Sequence, residues 1–462
     1  MAFFSRSVVR WNRLPVPGVA LIVAALVIAG PREVRFVRFD EVQDILAGFG
    51  DSGPAGRDVR DAGAWEKWIG ARDREIRSRI DRGVEDSISN LILYGTSYTS
   101  LSRFEDFEGA ASASGELTQA AQARVHALVQ ALPRSGENER VRLVRDFLKQ
   151  HGISGDSVET YLGTNLRRYI SEQRAYDERL KAAAQRDDPG EVFFTRGTLF
   201  ERRGLSVDTS LLPNYALEDT LRALERKGAL PPGGIHRIAI IGPGLDFTDK
   251  REGYDFYPLQ TVQPFAVMEA AARLESGQGE EPRVVAFDLN PAVLSHFHYF
   301  SAQARAGHAY IVQLPRDAKA DWKPEAVAYW EHFGEVIGTA THPLPVPPTL
   351  QGLMLRAIAV KPQWAERVEA RDLDIVTETQ DLAPGAGFDL VVATNVLVYY
   401  DLFEQALAMA SIAHLLNRGG IFLANHALPA VHPQALEYLG RRSVSYSRSG
   451  AYGDDVVVYR RR

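Results

Sequence analysis

The chain contains no cysteine and only 4 methionines in 462 residues. Without a thiol there can be no disulfide, no thiolate metal centre and no cysteine nucleophile. A surplus of one charge is also missing: 53 Lys and Arg stand against 59 Asp and Glu, a formal charge of −6. The basic residues are scattered rather than gathered into a stripe, so there is no electrostatic footprint for nucleic acid and no nucleic-acid partner is expected. His296 and His298 stand two apart on an expected helix and do not share a face. No third ligand is spaced to join them, so no metal site is expected.

Of what is present, 45% apolar and 24% charged residues are ordinary for a globular protein, and the length favours two or three domains. One uncharged run stands out, "LPVPGVALIVAALVIAGP" from Leu14 to Pro31, with Arg10 and Arg13 before it and Arg32, Arg35 and Arg38 after it. Residues 1–38 are therefore expected to form a basic segment with a membrane-spanning anchor, or the apolar part of a cleaved signal.

Residues 39–190 repeat their apolar positions every three to four residues, which predicts a helical domain. Thr118 and Asn138 read as helix starts and Gly152 as a stop. A connecting helical segment, 191–234, ends at the boundary "PPGG". From 235 to 462 the texture changes to strands alternating with helices. Strands are expected at Arg237–Gly242, Arg283–Leu289, Val368–Val376, Phe388–Asn395 and Gly420–Ala427, with helices at Leu259–Leu274, Pro291–Arg305 and Leu402–Leu416. Near-continuous apolar strands with intervening helices predict a doubly wound, mostly parallel α/β sheet. The ending "SVSYSRSGAYGDDVVVYRRR" predicts a C-terminal antiparallel hairpin. Asp401 with Glu404 reads as a capping box and Gly419 as the stop of the same helix. The stretch 307–362 breaks the alternation and is expected to be an insertion; its Trp322, Tyr329 and Trp330 read as a lid or as packing.

In such a sheet ligands bind beyond the C-terminal strand ends, where strand order reverses. The expected ends are the turn Gly242, Pro243, Gly244, Leu245, Asp246, then Asp288 with Leu289, Asp372 with Leu373, and Asn395. Gly242 and Gly244 would let backbone N–H groups approach a ligand, and Asp246 would receive an amine. Asp288 would accept both hydroxyls of a ribose or cap the next helix, Asp372 would accept from an adenine amine, and Asn395 supplies both a donor and an acceptor. A dinucleotide fingerprint needs a third glycine, where Phe247 stands, and an acid about 20 residues on. Here Gly244 and Asp288 are 44 residues apart. A nucleoside without pyrophosphate fits better, and S-adenosylmethionine is such a ligand.

The stretch "FDLVVATNVLVYYD" resembles the signature of the chemotaxis receptor (CheR-type) methyltransferases, "QPFAV" from Gln263 their Glu-Pro-Tyr-Ser helix start, "AFDLN" their ribose-binding strand end, and "ARDLDI" their adenine site. The resemblance covers about 235–462 and implies a class I, Rossmann-like methyltransferase fold with a terminal hairpin, S-adenosylmethionine as cofactor, and Tyr399 beside Asn395 as active-site residues. The chain departs from the pattern at Thr394, where the family has a basic residue, and at Gln263, where it has glutamate, so a glutamate acceptor does not carry over.

The function expected is thus methyl transfer to an unidentified protein side chain or small molecule. The alternatives are a nicotinamide-dependent oxidoreductase and a membrane-anchored, non-catalytic scaffold with a degenerate fold. Because S-adenosylmethionine is cytosolic, the enzyme expectation places the catalytic part in the cytoplasm behind a single-pass anchor. Tyr254 and Tyr257, between the glycine turn and the next helix, are candidates to touch the acceptor.

Overall fold

The computed structural model describes residues 34–50, 59, 61–136, 138–185, 200, 204–205, 211–248, 254–274, 280–350, 352–426, 428 and 435–462. The described strands are β1 (Val34–Phe36), β2 (Arg237–Ile241), β3 (Arg283–Asp288), β4 (Tyr310–Asp317), β5 (Gly338–Thr341), β6 (Leu353–Val360), β7 (Val368–Asp372), β8 (Glu378–Gln380), β9 (Phe388–Ala393), β10 (Leu416–Ala424), β11 (Leu436–Ser445) and β12 (Gly453–Arg461).

Seven of them form one sheet in the order β11-β12-β10-β9-β2-β3-β7. β10, β9, β2, β3 and β7 are parallel, and β12 and β11 close one edge as an antiparallel hairpin. This is the class I methyltransferase fold that the resemblance implies. The chain runs outward from β2 through β3 to β7, then returns to β9 on the other side of β2. The order therefore reverses between β2 and β9, and the crevice lies beyond Ile241 and Ala393.

Alternate residues of each central strand feed two different cores. Ile238, Ile240, Leu390 and Val392 face one, and Ala239, Ile241, Val391 and Ala393 the other, all at most 3% exposed. That two-sided burial is why these strands read as unbroken apolar runs. The helices Gln263–Ala272 and Pro291–Arg305 cover the first face, and Leu402–Leu415 the second. The capping box is present: Glu404 N donates to Asp401 Oδ1 and Asp401 N to Glu404 Oε2, both at 2.8 Å. Gly419 is not the helix stop. The helix ends at Leu415, and Gly419 (φ +79°) sits in an irregularity of β10 between Leu416 and Ile421.

The N-terminal half is helical, with helices Phe39–Phe49, Ala62–Tyr94, Gln119–Ala131, Glu139–Gln150 and Ser157–Gln185. Thr118 and Asn138 cap two of them through their side chains. The 33-residue helix Ala62–Tyr94 crosses from one core to the other. It gives Trp65, Ile69 and Ile76 to the core shared with Leu402–Leu415, then Ile88 and Leu91 to the core on the opposite face. β1 pairs antiparallel with β8, which ties the start of this region to the segment after β7.

The insertion is a second, antiparallel sheet, β4-β6-β5, with the helix Pro324–His332. Trp322, Tyr329 and Trp330 are at most 8% exposed, and Trp330 Nε1 donates to Leu314 O at 3.0 Å, so the aromatic cluster packs the insertion.

The expected single-pass membrane anchor is corrected. Among the described residues no helix is long and apolar enough to cross a membrane. The run Leu14–Pro31 lies outside the described residues.

Candidate functional site

A cavity of about 470 Å³ opens beyond the C-terminal ends of β2, β3 and β9, within the ~300–1,000 Å³ usual for small-molecule sites. Its wall includes Gly242, Gly244 and Asp246 after β2, Asp288 and Leu289 at β3, Leu373 after β7, and Asn395 and Tyr399 after β9. Pro243 is buried behind this wall.

The glycine turn is shaped for close approach. Gly242 and Gly244 adopt φ of +62° and +65°, the left-handed region that favours glycine. A Cβ on Gly242 would fall 2.6 Å from Val396 Cγ2 on the far side of the switch point. The turn is braced from the helical half: Arg140, 1% exposed, donates through Nη2 to Asp246 O at 2.8 Å and through its other nitrogens to the carbonyls of Phe247 and Tyr257. No motif in the sequence marked Arg140, because its partners are backbone carbonyls more than a hundred positions away.

The Asp246 carboxylate accepts from Tyr257 Oη and Gln260 Nε2, both at 2.9 Å. Gln260 in turn accepts from Gln313 N at 2.7 Å and donates to Gln313 O at 2.8 Å, linking the turn to β4. Tyr257 lines the cavity, as do Thr248, Gln260, Gln263, Gln313 and Thr394; Tyr254 does not stand in the wall.

Burial raises the Asp288 carboxyl to about 6, against the pull of N–H groups of Asn290, Gly244 and Leu289. The Asn290 N–H donates to Oδ1 at 2.8 Å. Helix capping falls instead to Asn290, whose side chain accepts from Ala292 N at 2.9 Å. Asp288 is thereby left facing the cavity.

Asp372 stands apart. Arg77, from the helix Ala62–Tyr94, donates to its Oδ1 at 2.8 Å and to Glu378 and Asp73 at 3.0 Å each. The cavity wall next to β7 is made by Leu373 and Ile375 instead.

Asn395 is the one non-glycine residue with positive φ, +58°, among the described residues. Its backbone N–H donates to Asn425 Oδ1 at 3.0 Å, and Asn425 Nδ2 donates back to Asn395 Oδ1. A strained conformation held by a neighbouring strand end is a frequent mark of a functional position. Tyr399 lies in the short turn Leu397–Tyr399, with its carbonyl held by Arg79 Nη2 at 2.6 Å. Ile80, the next residue of that long helix, lines the cavity.

His296 takes no part: its Nε2 lies 2.9 Å from Tyr310 Oη, and burial lowers its pKa to about 4.

No protein-family model matches the chain, and no curated protein matches it. Among solved structures, the N-methyltransferase NodS from Bradyrhizobium japonicum WM9 in complex with S-adenosyl-L-homocysteine is similar at 12% identity and TM-score 0.27, over 54% of this chain and 88% of that one. Magnesium protoporphyrin IX methyltransferase (ChlM) from Synechocystis PCC 6803 with bound SAM is similar at 9% identity and TM-score 0.27, over 62% and 97%. TrmN from Thermus thermophilus is similar at 16% identity and TM-score 0.25, over 54% and 52%. The fold assignment rests on the strand order and the hairpin described above.

Proposed function

We propose that the chain is an S-adenosylmethionine-dependent methyltransferase whose cofactor occupies the cavity at the switch point between β2 and β9. The observation that carries this is a single wall combining the left-handed glycine turn, a partly exposed Asp288 at the end of β3, and Asn395 after β9. The residues fit the group. Gly242 and Gly244 leave room for its methionine end, and Asp246 would receive the amine. Asp288 would accept from the ribose, and Leu373 and Ile375 would offer apolar surface to the adenine.

When bound, the cofactor supplies an electrophilic methyl group on a sulfonium. The protein's part is to align the acceptor in line with that methyl and to exclude water. Leu314, Pro315 and Trp322 of the insertion, with Leu211, Leu212 and Pro213 before the sheet, supply apolar walls. Asn395 and Tyr399 border the space left for the acceptor.

Calorimetry with S-adenosylhomocysteine and, in parallel, with NAD tests the proposal. Micromolar binding of the first and none of the second is expected; the reverse pattern would establish the oxidoreductase alternative.

A further inference from the structure

We infer that Arg140, in the helical half of the chain, is a positioning residue for the methionine end of the cofactor, acting through Asp246 and Tyr257. The inference rests on the methyltransferase function proposed above and assigns part of one subsite to a residue outside the transferase sheet.

Arg140 donates to the carbonyls of Asp246, Phe247 and Tyr257. A guanidinium presents its donors in a rigid planar fork, so carbonyls that share it are held at fixed positions relative to one another. Asp246 and Tyr257 are also joined directly, Tyr257 Oη donating to Asp246 Oδ2 at 2.9 Å. The contacts therefore close a ring, from Arg140 to the Asp246 carbonyl, from the Asp246 carboxylate to the Tyr257 hydroxyl, and from the Tyr257 carbonyl back to Arg140. The guanidinium carbon lies 5.4 Å from the centre of the Tyr257 ring, which seats the cation against the same side chain. Asp246 is the carboxylate that would receive the cofactor's amine, and this ring sets where it points.

The residue before Arg140 holds a second support. Glu139 Oε2 accepts from Leu259 N at 2.7 Å, and the next residue, Gln260, donates through Nε2 to Asp246 Oδ2 at 2.9 Å. Neighbouring residues of one helix thus anchor the backbone at Tyr257 and beside Gln260, whose side chains both donate to Asp246 Oδ2. The start of that helix is fixed in turn. Asn138 caps it, and Asn138 Nδ2 donates to Ser97 Oγ at 2.9 Å. Ser97 and Thr96 donate to the buried carboxylate of Asp255, two residues before Tyr257.

Asp246, Tyr257 and Gln260 line the cavity, whereas Arg140, 1% exposed, stands behind them and can act on a ligand only through them. A carboxylate fixed before the ligand arrives loses less freedom when it binds. The nucleoside end is held elsewhere, by Asp288 at the end of β3 and by Leu373 and Ile375 after β7, none of which is a partner of Arg140. Disturbing Arg140 should therefore weaken the grip on the amino-acid part of the ligand and spare the nucleoside part, a split that a merely structural role would not produce.

The test uses titration calorimetry on the full chain with S-adenosylhomocysteine and with 5′-methylthioadenosine, which carries the same thioether nucleoside without the amino acid. The wild type is expected to bind the first at least about tenfold tighter. Arg140→Lys, whose ammonium cannot span the same carbonyls, should lose most of that preference while its affinity for 5′-methylthioadenosine stays within about twofold. Arg140→Ala should lose the preference as well and regain it with added N-ethylguanidinium, which replaces the missing atoms, but not with ethylammonium. Equal weakening of both ligands in Arg140→Lys, or an unchanged preference, overturns the inference, as does a failure of N-ethylguanidinium to restore Arg140→Ala. Loss of a cooperative melt in both variants assigns Arg140 to folding alone and also overturns it. A wild-type chain that binds both ligands alike has no methionine subsite and overturns the inference, whereas one that binds neither refutes the cofactor assignment itself.

Discussion

Gln263 Nε2 donates to Thr394 Oγ1 at 2.8 Å, joining the first residue of the helix Gln263–Ala272 to the residue before Asn395. Both side chains are at least nine-tenths buried. A neutral hydrogen bond thus ties the start of that helix to the end of β9 at the switch point.

Thr394→Val keeps the shape of the side chain but leaves the Gln263 amide buried without that acceptor. Such an orphan costs about 1–3 kcal/mol. Urea denaturation should show a lower midpoint with an unchanged slope.

Asn395 offers a way to separate backbone strain from side-chain chemistry. Asn395→Gly accepts φ of +58°, so its melting temperature should stay within a few degrees of the wild type while S-adenosylhomocysteine affinity falls about tenfold. Asn395→Ala should lose affinity and also about 1 kcal/mol of stability, because alanine is disfavoured in the left-handed region. Thermal melts and calorimetry on the two variants give both quantities.

Cofactor affinity should depend on the ionisation of Asp288, whose carboxyl is pushed up to about 6 by burial. Only the carboxylate can accept from both ribose hydroxyls. Affinity is expected to be flat above pH 7 and to fall as pH drops through 6, approaching about tenfold per unit. Calorimetry from pH 5 to 8 checks this, and Asp288→Asn should bind weakly with the pH dependence gone.

Asp374 predicts an unusual gain of stability. It is fully buried, Oδ2 lacks a hydrogen-bond partner among the described residues, and burial raises its carboxyl to about 7. A folded-state pKa above the unfolded value means that the favourable, protonated state is complete below pH 4 and is lost as pH rises through 7. Asp374→Asn keeps an acceptor for the Val376 N–H, now 2.9 Å from Oδ1. The variant should therefore melt higher than the wild type at pH 8 and close to it at pH 4.

What the sequence determined by itself is whatever local pattern records. Strands buried on both faces must be continuously apolar, so β2, β3, β9 and the helices between them were legible to within a few residues, and the C-terminal hairpin was legible although its first strand starts earlier, at Leu436. The glycine turn, Asp288 and Asn395 were legible for a similar reason: a strand end in a parallel sheet points at the ligand crevice whatever surrounds it. Only the tertiary structure decided the rest, because those contacts join residues far apart in the chain and leave no periodic trace. Arg140 braces the carbonyl of Asp246, and Arg77 holds Asp372, which as a strand-end acid looked equivalent to Asp288. The long helix Ala62–Tyr94 passes from one core to the other and places Ile80 in the cavity wall, while the stretch that read only as an insertion folds into an antiparallel sheet. Asp454, in an ordinary-looking hairpin, reaches the cavity wall only because β12 runs antiparallel to β10 and brings its first residues to the end of the sheet where the cavity opens.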